Sequence, residues 1–445
     1  MKSKKVLSGL LLTVLSINVM VSGCENIRPA FAGGGTARAG KTEASKAKLP
    51  LTFWSWAYDS DAIKPAYEAA IKKFNAENGF NAEIKAVYTP GEQYKTKLQT
   101  EMATNNAPDI FGMWPAGKMK PYVEANRLYA ISDLLDKDME WKDRYVDGIF
   151  DLTSFNGKVY GIPCFRTVVP VYYNKDMFAR YGLQVPATWN ELLAVVETLK
   201  DNGKEAFATD LKDPWIVAMY AEIVADRLDP EAYKSVQKDP NWLLPTYLEV
   251  GRKMQELAKA GAFPKGATGI DYMAARSLFD QEKAGMFLMG SWDVGYLGGE
   301  SPIKDKIGAF KFPAIEGGKG DINNWLAGVE AVQAISANTK NPEAAGAFLK
   351  VLTEPEIAKE LIAEKGGYLA AVKVQPDSTK APKLFLEVMD LMKDRKQNFT
   401  FYDNNLGPVV GEGFNNAIQS IVVGKLPEEA FRKLDEIAKK EAGMN

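Results

Sequence analysis

The chain has 445 residues, a net formal charge of -2 and no histidine. This length suffices for two or three domains with full cores, and the near-neutral charge gives no basic field for nucleic acid. The missing imidazole excludes Ser-His-Asp and Cys-His catalysis and almost every zinc site. The sequence also has no phosphate-binding loop or dinucleotide fingerprint, so we expect no cofactor and no metal. Carboxylate chemistry stays open for an enzyme, because it needs no motif at fixed spacing.

The first element in chain order is an export signal. Three lysines precede the apolar stretch 6–20, which is shorter than the roughly 20 residues of a membrane-spanning helix. Cys24 follows the small pair Ser22-Gly23, the pattern of a bacterial lipoprotein signal. That pattern implies removal of residues 1–23, lipidation of Cys24 and anchoring to the cell membrane outside the cytoplasm. A plain secretory signal with an unrelated cysteine is the alternative.

A tether is predicted over residues 24–48. The glycine run 33–35 and the small polar residues around it have no apolar period and cannot bury a core. The only other cysteine is Cys164, so a lipidated Cys24 leaves no disulfide. We therefore expect the stability of the protein to come from burial.

Strands and helices alternate from residue 51 onward. Tyr67, Ala70, Ile71 and Phe74 recur at the spacing of one helical face. The predicted order is strand 51–56, helix around 67–74, strand 81–87, helix 93–104 and strand 109–113. This order predicts an α/β fold with a mainly parallel sheet, in which ligands meet the ends of strands.

Later segments also contain strands and helices in alternation. Thr188 and Glu191 form a predicted capping box at a helix start. Further predicted elements are strands at 286–289 and 331–335, and helices that begin at Asn341-Pro342 and Pro427.

Several motifs occur together in the order typical of one family. They are 51–56, Ala107–Phe111 with Trp114, Tyr160–Pro163, Val171–Lys175, Pro186–Leu192, Lys283–Met286 with Gly290–Trp292, and Asn341–Ala345 with Phe348-Leu349. On these motifs the chain resembles the sugar-binding type of bacterial extracellular solute-binding protein, the family of maltose-binding protein. The resemblance extends over nearly all of the mature chain.

The resemblance implies a two-lobe periplasmic-binding-protein fold with a hinge that the chain crosses three times. Lobe 1 would comprise 49–165 and 324–371, and lobe 2 would comprise 166–323 and 372–445. A carbohydrate would bind between the lobes and pass to the permease subunits of an ABC importer. We expect a monomer that captures its ligand by hinge closure and catalyses no reaction.

Aromatic residues at predicted strand ends are the main candidates for ligand contact. Sugars have apolar faces that aromatic rings cover and hydroxyls that carboxylates, amides or guanidinium groups bind. Trp292 with Asp293 is the strongest pair, since the adjacent acid indicates a wet edge. Trp54 is expected in the core. The predicted binding residues are Trp56, Tyr58, Asp59, Glu92, Trp114, Lys118, Arg166, Asp213, Trp215, Trp292, Asp293, Trp325, Tyr368 and Phe414.

Several assignments stay open at this point. For Glu92 a solvated surface role competes with the cleft rim, and for Arg166 an ion pair between lobes competes with ligand binding. Arg276, Lys283, Tyr402 and Asp403 are expected to be surface or packing residues. The alternative functions are an extracellular polysaccharide-cleaving enzyme that uses paired carboxylates, a binding protein for a non-sugar solute, and a structural surface lipoprotein.

Overall fold

The computed structural model of the protein describes residues 47–57 and 61–444. The predicted signal, Cys24 and nearly all of the tether lie outside these residues, as do Tyr58 and Asp59. Residues from Lys48 onward form one compact unit. Within the described part of the chain, no helix combines the length and apolar character needed to cross a membrane.

The strands form a seven-stranded sheet, a four-stranded sheet and a small hairpin. The strands are β1 (Leu49–Trp56), β2 (Ala82–Thr89), β3 (Ile110–Met113), β4 (Ser154–Phe155), β5 (Lys158–Val159), β6 (Gly161–Val168), β7 (Val171–Asn174), β8 (Glu205–Phe207), β9 (Ala284–Leu288), β10 (Ile307–Phe310), β11 (Trp325–Ile335), β12 (Leu369–Ala370) and β13 (Asn398–Phe399). The larger sheet has the order β12-β6-β11-β3-β1-β2, with β13 paired to β11, and the smaller has the order β10-β7-β9-β8.

Helices cover both sheets. They are α1 (Lys64–Ala76), α2 (Gly91–Ala103), α3 (Lys120–Glu124), α4 (Ser132–Lys137), α5 (Met139–Asp143), α6 (Lys175–Arg180), α7 (Trp189–Asp201), α8 (Pro214–Leu228), α9 (Ala232–Lys238), α10 (Pro245–Ala260), α11 (Tyr272–Asp280), α12 (Val294–Gly299), α13 (Pro342–Leu352), α14 (Pro355–Ile357), α15 (Lys383–Leu391), α16 (Tyr402–Asn405), α17 (Gly407–Val422) and α18 (Pro427–Glu441). A π-helix, Ala358–Lys365, follows α14 directly.

Local sequence accounts for several of these boundaries. Tyr67, Ala70 and Phe74 form the buried stripe of α1, as their helical spacing predicted. Thr188 accepts a hydrogen bond from the Glu191 amide, and the Glu191 carboxylate accepts one from the Thr188 amide, so the predicted capping box is confirmed.

The larger sheet mixes two strand directions. β1 pairs in parallel with β2 and β3, in agreement with the strand–helix alternation of residues 49–113. β11 runs antiparallel to both β3 and β6, so the sheet continues into strands that come from a distant part of the chain.

The body has two hydrophobic cores, and we call the parts around them the first and second lobes. Phe53, Phe111 and Phe348 lie in the first core, on the larger sheet. Tyr172 and Phe287 lie in the second, on the smaller sheet. The chain passes between the cores at 165–168, 327–329 and 372–381. The protein therefore has two α/β lobes joined by three crossings, as the resemblance implied.

Candidate functional site

A cleft lies between the two cores. Its free space, including the open mouth, is about 1180 Å³. Both lobes and the crossing strands contribute to its walls. It is lined by Trp56, Asp61, Ile63, Tyr67, Gly91, Glu92, Lys95, Trp114, Lys118, Phe165, Asp213, Trp215, Tyr272, Trp292, Glu330, Tyr368, Phe401, Asp403 and Asn404.

Two stacked tryptophans form the wall of the first lobe. Trp56 is the last residue of β1, and Trp114 follows the last residue of β3. Because β1 and β3 are parallel neighbours, their carboxyl ends meet at one edge of the sheet. The two indole rings stack with centroids 4.7 Å apart and planes 6° from parallel. The two indoles therefore lie face against face as one apolar stack.

The opposite wall carries a second group of rings. Trp292 follows β9 in a short 3-10 turn, and Trp215 lies in the first turn of α8. Their ring centroids are 6.0 Å apart, with Phe401 6.3 Å from Trp292 and Tyr272 6.3 Å from Trp215. Trp292 packs against both cores, so it lies where the two lobes meet.

The crossing strands supply the floor of the cleft. Phe165 of β6 and Glu330 of β11 are direct partners in the antiparallel register. Tyr368 precedes β12, and its ring centroid lies 4.2 Å from that of Phe165. A carboxyl group thus lies beside two aromatic rings at the hinge.

Ion pairs join the lobes along one side of the cleft. The Nζ atom of Lys118 in the first lobe lies 2.6 Å from Oδ2 of Asp403 in the second. Their side chains are only 12% and 14% exposed. Lys95 of α2 pairs with Glu412 of α17 and lies 3.6 Å from Glu92. Both lysines of the cleft are therefore engaged by carboxylates.

The backbones of the two lobes also meet beside these pairs. A Cβ atom on Gly117 would lie 2.4 Å from the carbonyl oxygen of Asn405 and 2.5 Å from the amide nitrogen of Gly407. Gly407 has a φ of 82°, in the left-handed region that favours glycine. Only a residue without a side chain fits at Gly117 in this arrangement.

The cleft brings together eight of the predicted binding residues. They are Trp56, Glu92, Trp114, Lys118, Asp213, Trp215, Trp292 and Tyr368. Glu92 has a half-exposed side chain at the rim, and burial raises its pKa above the ordinary value. Tyr58 and Asp59 lie outside the described residues.

Asp293 does not line the cleft, and the prediction that this acid lies at a solvent-exposed edge beside Trp292 was wrong. The side chain of Asp293 is buried and accepts hydrogen bonds from Tyr272, at 2.6 Å, and from Arg276, at 3.1 Å. The guanidinium of Arg276 compensates the buried charge, and the sequence offered no signal for this partner. Burial nevertheless raises the pKa of the Asp293 carboxyl.

Arg166 also lies outside the cleft lining. It follows Phe165 on β6, and successive side chains of a strand point to opposite faces. Since Phe165 faces the cleft, the Arg166 guanidinium lies on the other side, where its Nε donates to the carbonyl of Ala370 at 3.2 Å. Burial, and secondarily the charge of Arg395, lowers the pKa of Arg166.

Trp325 and Phe414 are core residues rather than ligand contacts. Trp325 is buried in the second core at the start of β11. Phe414 is fully buried, with its ring centroid 4.9 Å from that of Tyr402. It lies in the middle of α17.

Several residues of the cleft were not predicted from the sequence. Asp403 was expected to be a surface or packing residue, but it lines the cleft and forms the ion pair with Lys118. Phe401, two residues earlier, faces Trp292. Glu330 follows the crossing into β11, which is longer than its predicted part, 331–335. The apolar run that precedes 331 was the one local signal for this longer strand. The described residues include no group of three or more acidic, cysteine or histidine side chains arranged to hold a metal ion.

Comparison with known proteins gives consistent matches. The model of the family described as bacterial extracellular solute-binding protein matches residues 59–359. The multiple sugar-binding protein of Streptococcus mutans is 26% identical over 350 residues, which cover 77% of this chain and 80% of that protein.

Two solved structures extend the match to the fold. A structure from work on xylan utilization by Caldanaerobius polysaccharolyticus has a TM-score of 0.81 and 29% identity, and covers 87% of this chain and 99% of its own. A chitin oligosaccharide binding protein has a TM-score of 0.82 and 25% identity, and covers 88% and 98%.

Proposed function

The chain belongs to the bacterial extracellular solute-binding proteins, and on that premise we propose that it is the substrate-binding component of an ABC-type carbohydrate importer. One observation carries the proposal. Trp56 and Trp114 of the first lobe and Trp215 and Trp292 of the second line the same cleft, with carboxylates between them. Flat rings cover the apolar faces of sugars, and carboxylates bind their hydroxyls.

The mechanism is hinge closure. A sugar that contacts both walls stabilises the state in which the lobes are close, and the ion pair of Lys118 with Asp403 adds to it. We propose residues 49–165 with 324–371 for one lobe and residues 166–323 with 372–445 for the other. The released sugar would pass to the permease subunits of the importer.

Three further parts of the proposal rest on sequence patterns or on the relatives. Cys24 carries a lipid that anchors the monomeric protein to the cell membrane. The predicted residues that line the cleft contact the ligand, and Tyr58 and Asp59 contact it from the segment after Trp56. The matched relative and solved structures include binding proteins, which supports a role without catalysis.

A thermal-shift screen tests the proposal. The panel contains raffinose, stachyose, xylotetraose, diacetylchitobiose and their monosaccharides. A sugar at a hundredfold excess over its Kd should stabilise the native state by about 2.7 kcal/mol. No shift with any panel sugar, combined with a shift for an amino acid or phosphate ester, would contradict the carbohydrate assignment.

The same samples test the enzyme alternative. An importer component returns its ligand uncut, so chromatography after long incubation should recover the intact oligosaccharide. Small-angle scattering on the same complex should show a smaller radius of gyration than the free protein. Cleaved products would support carboxylate-dependent hydrolysis instead.

A further inference from the structure

Glu330 is a cleft residue whose carboxyl group has no hydrogen-bond partner among the described residues. It lies on the crossing strand β11, in register with Phe165, and lines the cleft beside Tyr368. Across the described residues, no side chain or backbone group donates a hydrogen bond to its carboxyl or pairs with it. Glu330 is only partly buried, and it lines the cleft, so its carboxyl group is open to a partner that enters from there.

Among the described residues, Glu330 forms no ion pair. Asp403 and Lys118 act on its charge in opposite directions, and they are bonded to each other at 2.6 Å. Glu222 of α8 is a buried acid, and one of its carboxyl oxygens accepts from the Tyr402 amide. Arg166, next to Phe165, lies on the opposite face of β6 and bonds to Ala370.

The other charged groups of the cleft are Asp61, Glu92, Lys95 and Asp213, of which Lys95 is paired with Glu412. The environment therefore favours the neutral acid. Burial, and secondarily the negative charge of Asp403, raises the pKa of Glu330 to about 8.

A neutral carboxyl group has an O–H that donates one hydrogen bond, whereas a carboxylate only accepts. We propose that Glu330 binds the sugar as a neutral acid and donates a hydrogen bond from its carboxyl group to a sugar oxygen. This inference rests on the proposed function, because it names the contact that a sugar makes with the cleft floor. It makes Glu330 a specificity-determining residue, since a ligand needs an acceptor oxygen at that point.

The inference predicts the pH dependence of affinity. A ligand that accepts from the neutral form binds best below pH 8, and its affinity falls as the carboxyl ionises. At pH 9, one unit above a pKa of 8, about a tenth of the carboxyl groups keep the proton, so the affinity should fall about tenfold from pH 6. A carboxylate acceptor would give the opposite slope.

Few other groups titrate in this interval. The chain has no histidine, and burial raises the pKa of the cleft tyrosines Tyr67, Tyr272 and Tyr368 further above their ordinary value of 10. Two further buried carboxyls have raised pKa values. Burial raises the pKa of Asp210 to about 7, and burial raises the pKa of Glu222 well above its ordinary value. A variant of Glu330 is therefore needed to separate its ionisation from theirs.

Calorimetric titration between pH 6 and 9 is the test, with the panel sugar that binds most tightly among raffinose, stachyose, xylotetraose and diacetylchitobiose. Wild type should lose affinity about tenfold by pH 9. Glu330→Gln keeps a donor at the same place, so it should bind within about threefold of wild type at pH 7 and show a flat profile. Glu68→Gln, on the exposed face of α1, is the matched control and should follow wild type.

The outcomes separate the inference from the proposed function. If the wild-type protein binds a sugar at pH 7 and its affinity stays constant or rises towards pH 9, the inference about Glu330 is wrong and the proposed function stands. A decline that persists in Glu330→Gln would also overturn it. Failure of every panel sugar to bind at any pH would overturn the proposed function together with the inference. Circular dichroism of each variant at pH 6 and pH 9 establishes that the fold is unchanged.

Discussion

Lys118 and Asp403 are 2.6 Å apart, although 284 residues lie between them in the sequence and they belong to different lobes. Lys118 ends the short 3-10 turn after β3, and Asp403 lies in the first turn of α16. Because both side chains are nearly buried, the pair is less screened by salt than a surface pair. It is a direct electrostatic link between the two sides of the cleft.

Loss of this link should weaken sugar binding. Lys118→Met keeps most of the aliphatic length but leaves Asp403 without its cation, so we expect a loss of about 1–2 kcal/mol, roughly five- to thirtyfold in affinity. Calorimetry measures it. Lys120→Met, in an exposed i,i+4 pair with Glu124, is the control and should leave affinity unchanged. Equal affinities of both variants and wild type would show that the ion pair does not contribute to closure.

Trp292 should carry a large share of the binding energy. Its ring lies in the cleft between the two cores, and truncation of a buried aromatic anchor often costs 2 kcal/mol or more, about thirtyfold in affinity. Trp292→Ala should therefore bind the panel sugar at least that much more weakly while still folding.

Trp189 is the control for Trp292. It is fully buried at the start of α7, and its indole N–H donates to Glu256 at 2.9 Å. Trp189→Phe should lower the melting temperature but leave the affinity of the folded protein unchanged. The reverse pattern, with wild-type affinity for Trp292→Ala and lost affinity for Trp189→Phe, would mean that the ligand binds elsewhere.

Asp293 should matter for stability. Asp293→Asn keeps the shape but removes the charge that faces the buried guanidinium of Arg276, so we expect a loss of about 2–4 kcal/mol in the free energy of unfolding. Chemical denaturation measures it. Asp136→Asn disrupts an exposed pair with Lys142 and should change stability by less than about 0.5 kcal/mol. An equally small effect at Asp293 would contradict this assignment.

Glu330 should also make stability depend on pH. Its pKa is about 8 in the folded protein against an ordinary value of 4.5, so the folded state keeps a proton that the unfolded state releases. Stability therefore falls as pH rises between these values. Glu330→Gln removes this loss. It should match wild type near pH 4.5 and exceed it by about 1–3 kcal/mol at pH 8.5.

Denaturation curves at the two pH values measure the effect. The exposed Glu68 provides the comparison, because Glu68→Gln should give the same difference between the two pH values as wild type. If Glu330→Gln is more stable than wild type by the same amount at pH 4.5 and at pH 8.5, the cause is packing and not the ionisation of Glu330.

Cys24 should carry the lipid anchor. Cys24→Ser should abolish incorporation of labelled fatty acid and release the protein from the membrane fraction. Cys164→Ser is the control, since this thiol is buried in the first core and burial raises its pKa to about 12. Unchanged labelling of Cys24→Ser would contradict the lipoprotein assignment.

Local patterns predicted much of the fold. The apolar spacing of α1, the capping box of α7 and the proline at the start of α18 each depend on neighbouring residues, so the sequence reveals them directly. Strand-end position also led to Trp56 and Trp114, because the carboxyl ends of parallel strands meet at a common edge.

The rest depends on contacts between distant residues. Asp293 was misplaced because its charge is compensated by Arg276, seventeen residues away on another helix. Asp403 and Glu330 face the cleft only because β11 and the chain after β13 return to the hinge. Arg166 and Phe165 are neighbours on one strand, so their side chains point to opposite faces of the sheet. Only the structure shows which of the two faces the cleft.

The contact of Gly117 with the Asn405–Gly407 backbone sets a mechanical stop for the two lobes. Main chain rests on main chain there, with no flexible side chain to compress or rotate aside. The two lobes therefore cannot come closer at this point than the contact between their backbones allows. A ligand that is too thick would keep Gly117 from reaching the Asn405–Gly407 backbone. A ligand that is too thin would leave one wall of the cleft without a contact. The cleft therefore selects ligands by thickness, because the lobes close fully only around a molecule that fits between both walls.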